Sequence, residues 1–393
     1  MNKNILNTVI QDFINNNLTN KPSELLLKGI PFDDVEAKEI VEQIEAKKRC
    51  KGKLQTWYAT PNIYYPNKLN IEQTSSATTA QYKSDTIHGK TIIDLTGGFG
   101  VDCFYFSKIF EEVTHCEIDT KLSNIVTHNY KQLEINNIEI VNNNGLEYLK
   151  NTLKQYDWLY IDPSRRHDSK GKVFYLKDCL PNVPEHLELL FKYSNNILIK
   201  ASPMLDISVG ISELEYVKEI HVVAANNEVK ELLFYLEKGF DGNVKVKTVN
   251  IKKEVMETFG FSYTEEHQAK AFFDYPENYL YEPNAAILKA GAFKSVSQKL
   301  NVKKLHQHSH LYTSQKLITF PGRSFRIIEI LPYNKKIVAK RLKNTKTNIT
   351  TRNFPESVSK IRTKFKIKEG GELYTFFTTN CNEEKIVIVC EKV

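Results

Sequence analysis

No apolar run in this sequence approaches the roughly 20 residues needed to cross a bilayer, which excludes a helical membrane span. The six cysteines, at 50, 103, 116, 179, 381 and 390, are scattered without a C-x-x-C pair. They read as reduced thiols packed in cores rather than as a disulfide frame. The amino-terminal stretch MNKNILNTVIQDFINNN is interrupted by Asp12 and by many asparagines, so it is not read as a secretion signal, and a cytoplasmic location is expected. There is no low-complexity tract, and 41% hydrophobic with 26% charged residues is ordinary for a folded chain. At 393 residues, two or three domains can each bury a core. Acidic residues are scarce in one region only. Residues 301–393 hold 19 Lys and Arg against 7 Asp and Glu, a surplus of +12, which leaves the preceding 300 residues at −5 in a chain of net +7. A basic last quarter beside a near-neutral body points to a module that faces a polyanion, with a merely solvated lysine-rich surface as the alternative.

What is present centres on residues 91–119, TIIDLTGGFGVDCFYFSKIFEEVTHCEID. The pattern predicts a buried strand at 91–95, a glycine-rich turn, a helix, and a second strand ending in acids. Gly97, Gly98 and Gly100 would let the backbone turn sharply and approach a ligand. The helix that follows directs free N–H groups at whatever sits above the turn. A dinucleotide site would read G-x-G-x-x-G, with a diphosphate on the helix. Here the turn is D-L-T-G-G-F-G, and Asp94 at the end of the first strand would repel a diphosphate but suit a ligand bearing an ammonium or sulfonium cation. Glu117 then stands where ribose hydroxyls need an acceptor.

At these residues the chain resembles the class I S-adenosylmethionine-dependent methyltransferases. Asp94, Thr96, Gly97, Gly98 and Gly100 fall on the family's first motif and Glu117 on its ribose-binding acid. Asn144, after a short third strand at 138–141, falls where the family carries an Asp or Asn near the adenine amino group. The resemblance implies a Rossmann-like class I methyltransferase sheet, an α/β fold, with S-adenosylmethionine as cofactor. A fourth strand, YDWLYI at 156–161, delivers Asp162, Pro163, Ser164, Arg165 and Arg166 to the ligand edge of the sheet. This resembles the D/N-P-P-Y/F motif of amino-group methyltransferases, in which the acid holds the target NH₂. The sequence departs from it with Ser164 for the second proline and Arg165 for the aromatic. Catalysis is assigned to Asp162, Pro163, Ser164 and Arg165, and substrate binding to Arg166 and Lys200, the latter closing the fifth strand NNILIK. An arginine there can stack on a base, clamp a phosphate or pair with an acid.

The rest is read in chain order. Residues 1–55 are helical, with Asp33 or Asp34 capping a second helix that ends in KKRCKGK. Residues 57–65 are an aromatic, proline-broken packed loop. A helix begins within 70–84, and its Glu72 to Ser76 either line the cofactor mouth or cap that helix. Asn226-Asn227 joins two apolar runs in a hairpin, and 243–251 adds an edge strand. An aromatic loop at 272–293 leads to β-rich runs that include KIVAKRL, with a helix at 355–364. His306, His308 and His310 alternate along one side of an extended run, a surface stripe or RNA contact rather than a zinc site. The β-α-β content after 270 resembles a small α+β THUMP-type (ferredoxin-like) RNA-binding module. Four regions are expected: a helical 1–85, a methyltransferase domain at 86–265, a linker and ferredoxin-like subdomain at 270–318, and a basic THUMP-like module at 319–393. The implied function is transfer of a methyl group to a nucleotide, most simply an RNA base nitrogen. RNA is the expected partner, with neither membrane nor metal. The alternatives are a small-molecule or protein methyltransferase, and a non-catalytic RNA-binding protein that retains the pocket.

Overall fold

The computed structural model describes residues 1–165, 175–253 and 255–393, the side chain of Arg165 excepted. The chain folds as two units, Met1–Val217 with Leu232–Asp241, and Lys218–Glu231 with Gly242–Val393.

In the first unit, β1 (Thr91–Asp94), β2 (Glu112–Cys116), β3 (Ile138–Val141), β4 (Trp158–Ile161) and β5 (Asn196–Ala201) form a parallel sheet in the order β3-β2-β1-β4-β5. Strands covered on both faces read as continuous apolar runs, and Ile92, Ile93, Leu159, Ile161, Ile197, Leu198 and Ile199 are indeed fully buried. After β6 (Val217–Ala225), the strand β7 (Glu228–Glu237) brings Leu232–Glu237 antiparallel to β5. Helices α1 (Thr8–Asn16) and α2 (Ala37–Lys53) build the amino-terminal region. No side chain bonds the start of α2, where Glu36 and not Asp33 or Asp34 is the capping residue. The loop at 57–65 begins with one helical turn, Gln55–Ala59, and is then held from both sides by amide side chains that copy strand pairing. Gln43 of α2 bonds the Tyr65 N–H at 2.9 Å and its C=O at 2.7 Å. Asn129, on helix α5 described below, does the same for Tyr64 at 2.9 Å each. The helix expected within 70–84 is two, Lys68–Gln73 and α3 (Ala77–Asp85), because Ser76 and Thr79 form a capping box that restarts the chain. Helices α4 (Val101–Phe106), α5 (Thr120–Gln132) and α6 (Gly145–Asn151) follow β1, β2 and β3.

In the second unit, the turn between β6 and β7 has φ of 50° at Asn226 and 64° at Asn227, the left-handed pair that a two-residue hairpin requires. Strand β8 (Lys245–Ile251) pairs parallel with β6 and antiparallel with β9 (Met256–Ser262), so it is internal and not the edge strand expected. A second, seven-stranded sheet comprises the short strand Lys303–Lys304 together with β10 (Tyr279–Pro283), β11 (Tyr312–Ser314), β12 (Gly322–Pro332), β13 (Lys346–Arg352), β14 (Lys368–Thr379) and β15 (Lys385–Lys392). From the edge strand Lys303–Lys304 its order continues β11-β10-β12-β15-β14-β13, with only β13–β14 parallel. Three expectations fail here. The 272–293 segment is not a loop: it holds β10 and the helix Ala285–Ala290, and a further helix starts at Phe293. KIVAKRL lies in helix α7 (Lys335–Leu342), because Asn334 caps the turn and Val338 and Leu342, four apart, share the face that is buried. With Ile361 and Phe365 of α8 (Val358–Phe365) they pack on Leu331, Phe377, Val387 and Val389. Each such burial is worth about 1.5–3 kcal/mol. Nor do the histidines share an extended run. Buried His306 accepts the His308 N–H at 3.1 Å and donates to Glu383 at 2.7 Å, while His310 stacks on Phe293 at 3.7 Å. Among the described residues no helix is long and apolar enough to cross a membrane.

Candidate active site

The loop between β1 and α4 is tied across the sheet by its backbone. Leu95 N–H reaches Tyr160 at 3.0 Å, Gly97 N–H reaches Cys116 at 2.8 Å, and Gly100 N–H turns back to Gly97 at 2.9 Å. Two of its glycines make room for protein rather than for ligand. A Cβ on Gly97 would stand 2.3 Å from His115 Nε2, and one on Gly100 would stand 2.2 Å from the Tyr130 hydroxyl, at a φ of +76°. His115, fully buried on β2, and Tyr130 on α5 thus form the floor of the loop, with the Tyr130 hydroxyl donating to Gly100 at 2.8 Å. Gly98 is the open glycine: its φ is +55° and the nearest atom to a Cβ there is 3.7 Å away. Of the three glycines in this loop, Gly98 alone has its Cα face unobstructed.

Asp94 is buried and turned into this loop, accepting from Thr96 N–H at 2.8 Å, Thr96 Oγ1 at 3.1 Å and Cys103 Sγ at 3.4 Å. It therefore does not present its carboxylate to the open face. Burial, reinforced by the charges of Asp102 and Asp162, pushes it up to about 7 against the Thr96 donor. Burial drives His115 down to about 4, and neither ring nitrogen has a well-formed hydrogen bond among the described residues. Glu117, half-buried beyond β2, accepts from Gly98 N–H at 2.9 Å and from Asp119 N–H at 2.7 Å. Burial raises its carboxyl, and the two backbone donors oppose this. Asn144 caps α6 through Oδ1, bonded to Leu146 N–H at 2.9 Å and Glu147 N–H at 3.3 Å. Its neighbour Gly145 lies so close to Leu95 that a Cβ would be 2.5 Å from the Leu95 carbonyl, which brings Asn144 beside the β1 loop.

From β4, Asp162 enters the same place. Its N–H donates to Thr96 Oγ1 at 2.7 Å, and its carboxylate pairs with the Lys200 ammonium at the end of β5. Thr96 therefore links Asp94 to Asp162. Pro163 is buried, whereas Ser164 is exposed and pairs its backbone with Leu180. The assignments for the Arg165 side chain and for Arg166 lie outside the described residues. Of the Glu72–Ser76 stretch only Ser75 turns inward, accompanied by the capping Ser76, while Glu72 pairs with Arg49 at 3.0 Å.

With this geometry in view, the comparisons with known proteins become specific. Over all of its length the chain matches a solved structure described as "Crystal structure of putative methyltransferase from Porphyromonas gingivalis W83", with 32% identity, a TM-score of 0.88, and 100% of this chain and 98% of that chain covered. The chain belongs to that methyltransferase family. Family models match a ferredoxin-like domain at residues 279–321 and a THUMP domain-like segment at 322–392. It is thus a class I methyltransferase, an enzyme, with a C-terminal THUMP-like module. Weaker likeness extends to an rRNA methylase from Streptococcus thermophilus, 13% identical at TM-score 0.31 over 41% of this chain and 94% of that one. The O-methyltransferase from Bacillus cereus in complex with SAH is 13% identical at TM-score 0.33, over 48% and 100%. At those scores neither carries an argument. No curated protein matches.

In this methyltransferase the sequence reading brought Thr96, Asp162 and Lys200 to one place but missed what lies around them. Asp102 and Lys83 form a buried ion pair, Nζ to Oδ1 3.2 Å. An acid in the first turn of a helix looks like a dipole complement, and a lysine near a helix end looks solvated. No local signal distinguishes the buried cases. His115 was hidden for the same reason, as one polar residue in a strand.

Proposed function

We propose that this methyltransferase moves the methyl group of S-adenosylmethionine to a base nitrogen of RNA. Residues 86–265 would carry the transfer behind a helical region at 1–85. Residues 270–318 would link to a basic RNA-binding module at 319–393. The observation that carries the reading is the hydrogen bond between Asp162 N–H and Thr96 Oγ1, 2.7 Å, which fixes the acceptor-side carboxylate to the cofactor loop. Methyl transfer from a sulfonium is an in-line displacement, so holding acceptor and donor in fixed relation is most of what the protein must supply. The cofactor, when bound, supplies the electrophilic methyl.

The residues at the loop fit such a cofactor. Gly98 leaves its Cα face open to a ligand, and the half-exposed Glu117 offers acceptors to a ribose diol once its bond to the Gly98 N–H opens. Asn144, with Oδ1 engaged in capping, offers its amide N–H₂ to an adenine ring nitrogen. Asp94 serves by shaping the loop through Thr96, and Gly97 and Gly100 by admitting His115 and Tyr130 beneath it. Asp162 accepts hydrogen bonds from the target nitrogen and stabilises the positive charge that develops there. Lys200 holds that carboxylate in one orientation. The +12 charge of residues 301–393 supports phosphate contacts by the module.

A tritiated-methyl assay on total RNA tests the reading. Asp162→Ala is expected to lose transfer by about a hundredfold or more, with affinity for S-adenosylhomocysteine nearly unchanged by calorimetry. Turnover on small molecules or protein without RNA would favour a different acceptor class, and cofactor uptake with no methyl released to any RNA would indicate a binding protein.

A further inference from the structure

The positive surplus of the last quarter of the chain is concentrated in one stretch. Residues 333–368 hold 12 Lys and Arg against a single acid, Glu356. They form α7, β13, α8 and the turns that follow the two helices. One face of the second sheet, at Phe376, Ile386 and Ile388, packs on Leu280, Leu305 and Leu311. The other face is covered by α7 and α8, through Val338, Leu342, Ile361 and Phe365. The carboxyl ends of these two helices meet. Lys343 ends α7, and Lys366, at a φ of 54°, ends α8. Just beyond, Asn344 N–H donates to the Lys366 carbonyl at 3.0 Å and Lys368 N–H to the Thr345 carbonyl at 2.8 Å. Lys346 and Lys368 are then register partners at the start of β13 and β14. A bulge follows them, and there a Cβ on Gly371 would lie 2.9 Å from the Lys346 carbonyl.

Four lysines thus stand within a few residues of two backbone hydrogen bonds. All four are exposed, and none makes an ion pair among the described residues, for Glu356 pairs with Lys364 at 2.8 Å and Glu329 with Arg341 at 2.6 Å. Glu369 and Glu372, on the bulge, are exposed and bridge to none of them. A lysine at a helix carboxyl end complements the helix dipole, which accounts for Lys343 and Lys366. It does not account for Lys346 and Lys368, because like charges on facing strand positions cost stability. A repulsion kept without an internal acid is relieved by a polyanion from outside. We propose that the joined carboxyl ends of α7 and α8 seat the phosphate backbone of the RNA, with Lys346 and Lys368 as the central contacts. This rests on the reading of RNA as the acceptor and assigns the surface of the module that holds it.

Fluorescence anisotropy of a labelled single-stranded oligouridylate, titrated with the full chain at several salt concentrations, tests this. Lys346→Gln with Lys368→Gln should lower the slope of log K against log salt by about 1.4, at about 0.7 per lost contact. Lys335→Gln with Lys336→Gln removes the same charge from the other end of α7, about 10 Å or one Debye length away. That second variant should leave the slope unchanged. Without RNA and at low salt, Lys346→Gln with Lys368→Gln should also raise Tm by about 1–3 °C as the repulsion goes. Equal slope losses in the two variants overturn the proposal, because they report diffuse charge rather than a seat. An unchanged slope, a fall in Tm or no binding by the parent chain overturns it too. Binding is read without cofactor or methyl transfer, so the failure of this surface and the failure of RNA as acceptor in the tritiated-methyl assay are separate results.

Discussion

Gly97 and His115 occupy space that only one of them can enlarge into. The Cβ of Gly97→Ala would lie 2.3 Å from a ring that is fully buried, so backbone or ring must shift. Such overpacking costs about 1–3 kcal/mol, and each kcal/mol lowers Tm by about 2–4 °C in a domain of this size. Adding His115→Ala to Gly97→Ala should recover part of the loss, and additive losses in the double-mutant cycle would show that the two do not share the strain. Asp94 makes a pH prediction. Its carboxyl is raised from 3.8 to about 7, so the stability it contributes is complete below about pH 4 and lost as pH rises through 7. His115 has the opposite sign: lowered from 6.5 to about 4, its contribution is complete above about pH 6.5 and lost as pH falls through 4. Asp94→Asn should therefore flatten the alkaline decline of Tm between pH 4 and 8 and leave the acid decline in place. Parallel Tm curves for the two proteins would contradict the assignment.

At the scale of elements, the Asn226-Asn227 hairpin was legible because few residues tolerate left-handed φ at two consecutive positions. Its second asparagine does more than turn the chain. Asn227 Oδ1 accepts the Ala285 N–H at 2.8 Å, satisfying an otherwise free donor at the start of a helix. Turn preference alone says Asn227→Gly stabilises. The hydrogen bond says that it destabilises the chain by about 1 kcal/mol, and chemical denaturation should find the second outcome. Strand β9 was passed over and helix α7 misread for related reasons. Met256–Ser262 contains Gly260, which weakens a strand signal. The Ile337-Val338 pair in α7 favours a strand intrinsically, and only the buried face shared by Val338 and Leu342 overrules it.

For the molecule as a whole, the basic last quarter divides into cations with structural work and cations left to solvent. Buried Glu282 is gripped by Arg323, whose Nε lies at 2.7 Å, and by Arg352, whose Nη2 lies at 2.9 Å. Arg326 pairs with Glu391 at 2.7 Å and Arg341 with Glu329 at 2.6 Å. Lys343 and Lys346 are exposed instead. If the module binds single-stranded RNA through phosphates, Lys343→Ala with Lys346→Ala should reduce the slope of log K against log salt by about 1.4, at about 0.7 per lost contact. A slope that does not change in filter-binding titrations would remove these lysines from the interface.

The sequence by itself determined the strand, loop and helix of residues 91–106, the acid after β2 and the placement of Asp162 and Lys200 at strand ends, because each is written in neighbouring residues through apolar period and turn chemistry. Tertiary structure alone decided that Asp94 faces inward, that Gly97 yields to His115, that Lys83 meets Asp102, and that Arg323 and Arg352 share Glu282. Those pairs join residues from about 20 to 70 positions apart, and their meeting depends on which faces pack together, a choice made by the burial of the whole chain rather than by any local stretch of it.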